Sequence, residues 1–245
     1  IVMTTKINRL SLIKPVAFAV AAAVFLNGCI IHVGGPGSAS LDHSEQVLTL
    51  DAHGLQQLRA DTGAGALIIQ GEAGRTQIEV VAQIYNNEES ELILTLEKQG
   101  DAAKLVADFD RSFSYGNSPY IDLVVKVPAS FALTLDDGSG DVDIKGLQGA
   151  LRIDDGSGDL FVDNGASLVL DDGSGDIRIS HIQGDVKVDD GSGDINISQI
   201  SGIVTIEDGS GDIRVEQSLG LTIDDDGSGD LKISQINGPV NIAED

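Results

Sequence analysis

Asp185-Val186-Lys187-Val188-Asp189-Asp190-Gly191-Ser192-Gly193-Asp194-Ile195-Asn196-Ile197-Ser198-Gln199-Ile200-Ser201-Gly202 is one complete copy of a unit that recurs down the C-terminal half of this 245-residue chain. Its central hexapeptide, Asp-Asp-Gly-Ser-Gly-Asp, stands at Asp136–Asp141, Asp154–Asp159, Asp171–Asp176, Asp189–Asp194 and Asp225–Asp230, and at Glu207–Asp212 with Glu in first place. The spacings are 18, 17, 18, 18 and 18 residues. A fixed period of this size marks a repeat architecture, in which no single unit can bury its own apolar face.

Within the unit, Val186 and Val188 alternate before the turn, and Ile195 and Ile197 alternate after it. Period-2 alternation is the signature of half-buried strands. A third apolar residue follows three positions on (Leu147, Ile182, Ile200, Ile236) and can roof the core before Gly184, Gly202 or Gly238 turns the chain. Each unit is thus two short strands and two corners. An antiparallel meander of such hairpins would leave one whole apolar face open, and no helical segment is available to cover it. A flattened solenoid buries its two inner faces against each other. The expected fold is therefore all-β, an elongated β-solenoid (β-helix-like) of ~18-residue coils.

The turns are chemically consistent, since Asp-Gly forms turns readily and glycine supplies positive φ. Two irregularities stand out. One unit is a residue short near Asn164-Gly165, and the last carries an inserted Asp224 that predicts a bulge. The closing Pro239–Asp245 stretch makes half a coil, whose proline and acids discourage edge-to-edge growth.

Stacking creates two acidic columns. Asp137, Asp155, Asp172, Asp190, Asp208 and Asp226 form one; Asp141, Asp159, Asp176, Asp194, Asp212 and Asp230 form the other. Unit charges ~4.8 Å apart repel by about 1 kcal/mol in water and about 3.5 kcal/mol at an effective dielectric near 20. Turn N–H donors, splaying into water or bound cations must offset that. These twelve aspartates are the candidate calcium ligands, because calcium favours carboxylate and carbonyl oxygen. Yet the known calcium β-roll repeat, Gly-Gly-x-Gly-x-Asp, differs in order and has half the period. Asp224-x-Asp226-x-Ser228-Gly229 mimics an EF-hand start, but Gln235 occupies the place of its bidentate Glu. A solvated, N–H-capped face is the simpler expectation.

Outward of the turns runs a row of Asp143, Phe161, Arg178, Asn196, Arg214 and Lys232. Its basic members can pair with neighbouring acids at small gain. Phe161, placed beside Val169, is an exposed apolar spot.

Composition sets the boundaries. Aromatics are 4% and Trp is absent, so Val, Ile and Leu must build a narrow β core. The formal charge is −24; the first 28 residues hold Lys6, Arg9 and Lys14 and no acids, leaving 12 basic against 39 acidic residues beyond, a balance of −27. Such a surface excludes nucleic-acid binding, which needs cations for counterion release. It equally disfavours anionic lipid surfaces.

After Ile1-Val2 and Met3, Lys6, Arg9 and Lys14 precede an apolar run, Pro15–Leu26, and then Leu26-Asn27-Gly28-Cys29. A basic region followed by about a dozen apolar residues describes an export signal; a span needs ~20. The Leu-x-Gly-Cys ending resembles a bacterial lipoprotein signal, which implies that Cys29, the only cysteine, becomes the lipidated first residue. With a single cysteine no disulfide forms within the chain. By analogy with enteric sorting, Ile30 in place of Asp points to the outer membrane.

The expected organisation is a signal peptide at 1–28, a flexible tether at 29–45, divergent N-terminal β coils at 46–130 and a regular solenoid of six repeats at 131–245. In the third part, Asp61–Gly71 looks like a decayed unit, with Gly63, Gly65 and Gly71 matching Gly138, Gly140 and Gly146. Strands are expected over 77–83, 91–96, 104–109 and 120–127. Phe113 and Tyr115 lie in the polar turn before the last of these.

Ile121-Asp122-Leu123-Val124-Val125-Lys126-Val127-Pro128, then Leu133-x-Leu135 and the serial Gly-Ser-Gly-Asp turns, is similar to the bacterial "putative adhesin" β-strand-repeat family of unknown function, over roughly residues 46–245. The resemblance implies an exported β-helix-like domain and carries no catalytic or binding residues.

No enzyme signature emerges. Gly-Ser-Gly is not the Gly-x-Ser-x-Gly elbow, and His32, His43, His53 and His181 are scattered, without triad or zinc spacing. The expectation is a non-enzymatic envelope lipoprotein acting as a scaffold or adhesin-like module toward a protein or glycan, with no cofactor. A calcium-binding envelope protein is the alternative. A glycan-active β-helix enzyme, using carboxylates along one face, is the remote one.

Overall fold

The computed structural model describes residues 41–87, 90–110 and 118–243. The segment expected as an export signal, Cys29, and Phe113 and Tyr115 lie outside the described residues. Among those described there are twenty strands and no helix. The first seven are β1 (Asp42–Asp51), β2 (Gln57–Ala64), β3 (Leu67–Glu72), β4 (Gln77–Asn86), β5 (Glu91–Gln99), β6 (Ala102–Asp110) and β7 (Tyr120–Pro128). The repeats supply β8 (Ala132–Ser139), β9 (Val142–Lys145), β10 (Ala150–Asp155), β11 (Leu160–Gly165), β12 (Ser167–Asp172), β13 (Ile177–Ile182) and β14 (Val186–Asp190). They continue as β15 (Ile195–Ser198), β16 (Ile203–Asp208), β17 (Ile213–Ser218), β18 (Gly220–Asp225), β19 (Leu231–Ile236) and β20 (Val240–Ile242).

The strands form two ten-stranded sheets, ordered β1-β4-β7-β3-β9-β11-β13-β15-β17-β19 and β20-β18-β16-β14-β12-β10-β8-β2-β6-β5. From β8 onward every pairing is parallel and joins equivalent residues of successive units. Leu168 pairs with both Leu151 and Val186, and Ile195 with both Ile177 and Ile213. Parallel pairing rules out the meander, whose neighbours would run antiparallel. The architecture is an all-β, solenoid-like repeat.

The alternation in sequence becomes burial in space. Val186, Val188, Ile195 and Ile197 face one apolar interior that runs through both sheets, while Lys187 and Asn196 face out. Each fully buried Val, Leu or Ile contributes roughly 1.5–3 kcal/mol, so the stack draws its stability from repetition.

The N-terminal part departs from the expected succession of coils. β2 and β3 do form one, parallel to β8 and β9, with Thr62 opposite Asp137 and Leu67 opposite Val142. The matches of Gly63 to Gly138, Gly65 to Gly140 and Gly71 to Gly146 hold in space, since an added Cβ at each of the later three would press on the backbone of its partner. But β8 does not stack on what immediately precedes it. The chain leaves after β3, and β6 and β7 return on the far side of β2 and β3 in parallel. Beyond them, β1, β4 and β5 pair antiparallel and close the end. Thus 46–130 is two coils and an antiparallel cap rather than a run of coils. β1 begins at Asp42, so residues 42–45, expected as tether, are strand.

The corners also differ from expectation. Gly184, Gly202 and Gly238 do not supply the positive φ at the second corner. It comes from the residue before the roof: Gly146 (φ 74°), Asn164 (80°), His181 (57°), Gln199 (57°), Gln217 (69°) and Gln235 (57°). Gly202 is required instead by close stacking, because a Cβ there would lie 2.4 Å from the Gly184 carbonyl.

The short unit at Asn164-Gly165 has a twin at Gln217-Ser218. In both, a small residue, Gly165 or Ser218, takes the roof position opposite Ile182 or Ile236. Asp224 is the extra residue of the predicted bulge, where register shifts between Ile206 and Glu207. Its insertion restores the 18-residue spacing that the missing residue at Ser218 would have broken.

Candidate functional site

The Asp-Asp-Gly-Ser-Gly-Asp turns stack backbone on backbone. In the third copy, Gly173 N–H donates to the Asp155 carbonyl (2.8 Å) and Gly175 N–H to the Ser192 carbonyl (3.0 Å). A Cβ on Gly175 would sit 1.8 Å from the Gly158 carbonyl, and its φ is 142°. Only glycine fits there. This tight stack fixes two aspartates of each turn in opposite environments.

The first column points inward. Asp137, Asp155, Asp172, Asp190 and Asp208 are 1–3% exposed, and the expectation of a solvated face fails for them. The period-2 count held the signal: Leu168, Leu170 and Asp172 are successive inward positions of β12. Asp226, after the bulge, is only half-buried and stands apart from the ladder. Thr62 starts the column, donating its hydroxyl to Asp137 Oδ1. Asp190 and Asp208 accept N–H bonds from Ser192 and Ser210, both at 3.0 Å. Asp137 Oδ2, both oxygens of Asp155 and Asp172, and Oδ2 of Asp190 and Asp208 have no hydrogen-bond partner among the described residues.

Burial dominates their protonation. It pushes Asp137 up to about 7, opposed by the Thr62 bond and reinforced by Asp155 and Asp136. It pushes Asp172 up to about 7, with Asp155 and Asp190 adding repulsion against the Ser174 and Gly173 N–H groups. Asp155 and Asp190 rise to about 6, chiefly through burial, held back by the Ser157 and Ser192 N–H groups. At Asp155 and Asp172 those N–H groups lie close but make no well-aligned bond, so they oppose the shift only in part. Asp208 rises for the same leading reason. Protons therefore offset the inner column's charge: a buried carboxyl neutralises more easily than it ionises.

The second column points out. Its carboxylates accept the backbone N–H of the equivalent aspartate one coil on: Asp159 to Asp141, Asp176 to Asp159, Asp194 to Asp176, Asp212 to Asp194 and Asp230 to Asp212, at 2.9–3.3 Å. Charge-assisted N–H bonds and open water compensate this ladder.

The expected outward row is correct: Asp143, Phe161, Arg178, Asn196, Arg214 and Lys232 are register partners along one sheet. Lys145 bonds Asp143 at 2.6 Å and lies 4.8 Å over the Phe161 ring. Val169 is not beside Phe161; it faces out from β12 in the opposite sheet. An unforeseen stack joins His43, Tyr85 and Tyr120 across β1, β4 and β7, with centroids 4.6 and 4.4 Å apart. Cross-strand pairing puts them together, and nothing in their sequence spacing foretold it.

Among the described residues no three His, Cys, Asp or Glu side chains meet in an arrangement that could hold a metal ion. His181 is bonded to Asp163 at 2.6 Å, but Ser180 donates to the same carboxylate rather than to the imidazole, so no nucleophile–base pair forms.

Two stacked, mostly parallel sheets joined by regularly repeated turns define an all-β repeat protein of the solenoid-like class. The chain belongs to the Toastrack family DUF4097, whose model matches residues 43–242. No curated protein matches it. Solved structures similar to it include a "putative cell adhesion protein" from Clostridium sporogenes, 12% identical, covering 82% of this chain and 100% of that one at a TM-score of 0.45. A "putative adhesin" and a "putative lipid binding protein", both from Parabacteroides distasonis, are 12% and 16% identical. They cover 84% and 86% of this chain and 99% and 98% of theirs, at TM-scores of 0.41 and 0.42.

Proposed function

We propose that this protein is a non-enzymatic, adhesin-like interaction module of the bacterial envelope, tethered by lipid at Cys29 in the outer membrane. Its functional body is the stack of ~18-residue Asp-Asp-Gly-Ser-Gly-Asp coils. One observation carries the reading: the repeated turn carboxylates are committed to the stack itself, by burial in one column and by next-coil N–H bonds in the other. What the stack offers a partner is a rigid, strongly acidic outer surface of repeated side chains. Carboxylates engaged in this way in nearly every coil serve the scaffold, not hydrolysis.

Two measurements test the proposal. Radiolabelled palmitate should enter the wild-type protein and not the Cys29→Ser variant. The purified folded chain on a solid support should retain envelope fragments and show no turnover of glycans. Turnover abolished by Asp176→Asn would move the protein into the enzyme class, and a folded chain that retains nothing would end the interaction reading.

A further inference from the structure

At the second corner of the coils a surface groove of about 570 Å³ runs across successive units, from Asn164 to Asn237. Ile182 and Ile200 form its buried floor, and Leu219, 53% exposed, stands at its edge. Along it lies the column of left-handed residues, Asn164, His181, Gln199 and Gln217, continued by Gln235 in the last coil.

The identity of those residues is the informative part. A left-handed backbone costs a non-glycine residue roughly 1–2 kcal/mol, and the same corner one coil earlier is filled by Gly146 at φ 74°. Geometry alone would therefore be met by glycine throughout. Asn and His tolerate this region better than most, but Gln has no such privilege, and it recurs at 199, 217 and 235. The side chains stand at these positions against backbone preference. The amides among them, Asn164, Gln199, Gln217 and Gln235, carry no charge in a chain of 39 acids, and His181, Gln199 and Gln217 are exposed. Among the described residues, the side-chain amides of Asn164, Gln183, Gln199 and Gln217 make no hydrogen bond, whereas His181 is held by Asp163 and Gln235 lies 3.4 Å from Glu216. The acids flanking the groove are likewise engaged, Asp163 by His181 and Ser180, Glu216 by Arg214.

We propose that this amide-lined groove binds a neutral, hydroxyl-rich polysaccharide lying along the stack, a ligand assignment that rests on the adhesin-like reading above. Each amide offers a donor and an acceptor, which matches a sugar hydroxyl and its neighbour. Leu219, exposed at the groove's edge, offers apolar contact to the C–H faces of the ring. Coils ~4.8 Å apart repeat at nearly the ring-to-ring advance of an extended glycan. An extended peptide, at ~3.3 Å per residue, would fall out of step. Acidic polymers are disfavoured by a body carrying −27 beyond residue 28. Per-coil contacts are individually weak, so affinity should grow with chain length until the groove is filled.

The test is calorimetric titration of the whole folded protein with neutral soluble polysaccharides (a β-glucan, a mannan, a galactan) and with acidic ones (alginate, polygalacturonate), alongside Gln199→Gly/Gln217→Gly. Glycine relieves the left-handed strain, so the double variant should melt no lower than wild type, and loss of binding cannot be ascribed to unfolding. The expected result is binding of at least one neutral polymer, with affinity reduced at least tenfold in the double variant. Binding unchanged in that variant, preference for acidic polymers, or no binding of any neutral polymer would each overturn the proposal. In the last case, continued retention of envelope fragments would leave the adhesin-like reading standing without its glycan.

Discussion

Asp172 and Asp176 lie four residues apart in one turn, and both repeat in nearly every coil, yet their circumstances are opposite. Asp172 ends a strand on the inward beat, 2% exposed, with neither carboxyl oxygen well bonded. Asp176 follows the left-handed Gly175, faces water and accepts an N–H from the next coil. The same carboxyl is a buried core group that holds its proton up to about pH 6 or 7 in one column and an N–H cap at the surface in the other. A stacked acidic ladder is therefore tolerable by two routes, protonation or N–H donation, and the phase of the strand decides which.

The largest way to break the contrast is to remove what separates the columns. Gly175→Ala should destabilise the fold by about 3 kcal/mol or more, because it adds a Cβ 1.8 Å from the Gly158 carbonyl at φ 142°. Denaturant unfolding would show it.

Acidity comes next. The inner carboxyls have folded pKa values raised from 3.8 to about 6 or 7, so the folded state holds more protons than the unfolded one across that interval. Their contribution is complete below the unfolded value and is lost as pH rises through 6 to 7. The melting temperature should thus fall by several degrees between pH 5 and pH 8, and repulsion within so acidic a chain acts in the same direction. A melting temperature that rises over this range would refute protonation of the ladder.

The columns can then be set directly against each other. Asp172→Asn replaces a buried, ionisable group by a neutral one that can donate to Asp155 or Asp190. It should raise the melting temperature at pH 8, change little at pH 5 and flatten the pH slope. Asp176→Ala should instead leave the slope intact and cost about 1 kcal/mol, the usual worth of a lost hydrogen bond. Equal slopes in the two variants would erase the distinction. The smallest effect is expected from calcium: at millimolar concentration it should shift melting no more than magnesium does at equal ionic strength. A calcium-specific rise of several degrees over chelator would instead establish the cation-binding alternative.

Much of this fold was legible in the chain. The recurrence of Val186/Val188 and Ile195/Ile197 at a fixed period predicts parallel stacking, because like residues are buried best on like. The bulge at Asp224 was readable from a single broken alternation. The inward aim of Asp172 was readable too, in the beat of Leu168 and Leu170, but chemical expectation placed a carboxylate in water. The candidate site was legible only in part: the two columns and the outward row could be aligned by counting, while the amide corner could not. Gln199 and Gln217 look like ordinary polar loop residues until their φ values are known.

By itself, then, the sequence determined the repeat, the two strands per coil and, except for Asp226 after the bulge, the members of each column, since these depend on local periodicity and turn chemistry. Tertiary structure alone decided that β6 and β7 stack beyond β2 and β3, that β1, β4 and β5 cap the end, and that His43, Tyr85 and Tyr120 meet. It also decided the burial that raises the pKa values of the inner aspartates. Strand order and burial are set by which surfaces meet across long separations, and no local pattern encodes the desolvation that follows.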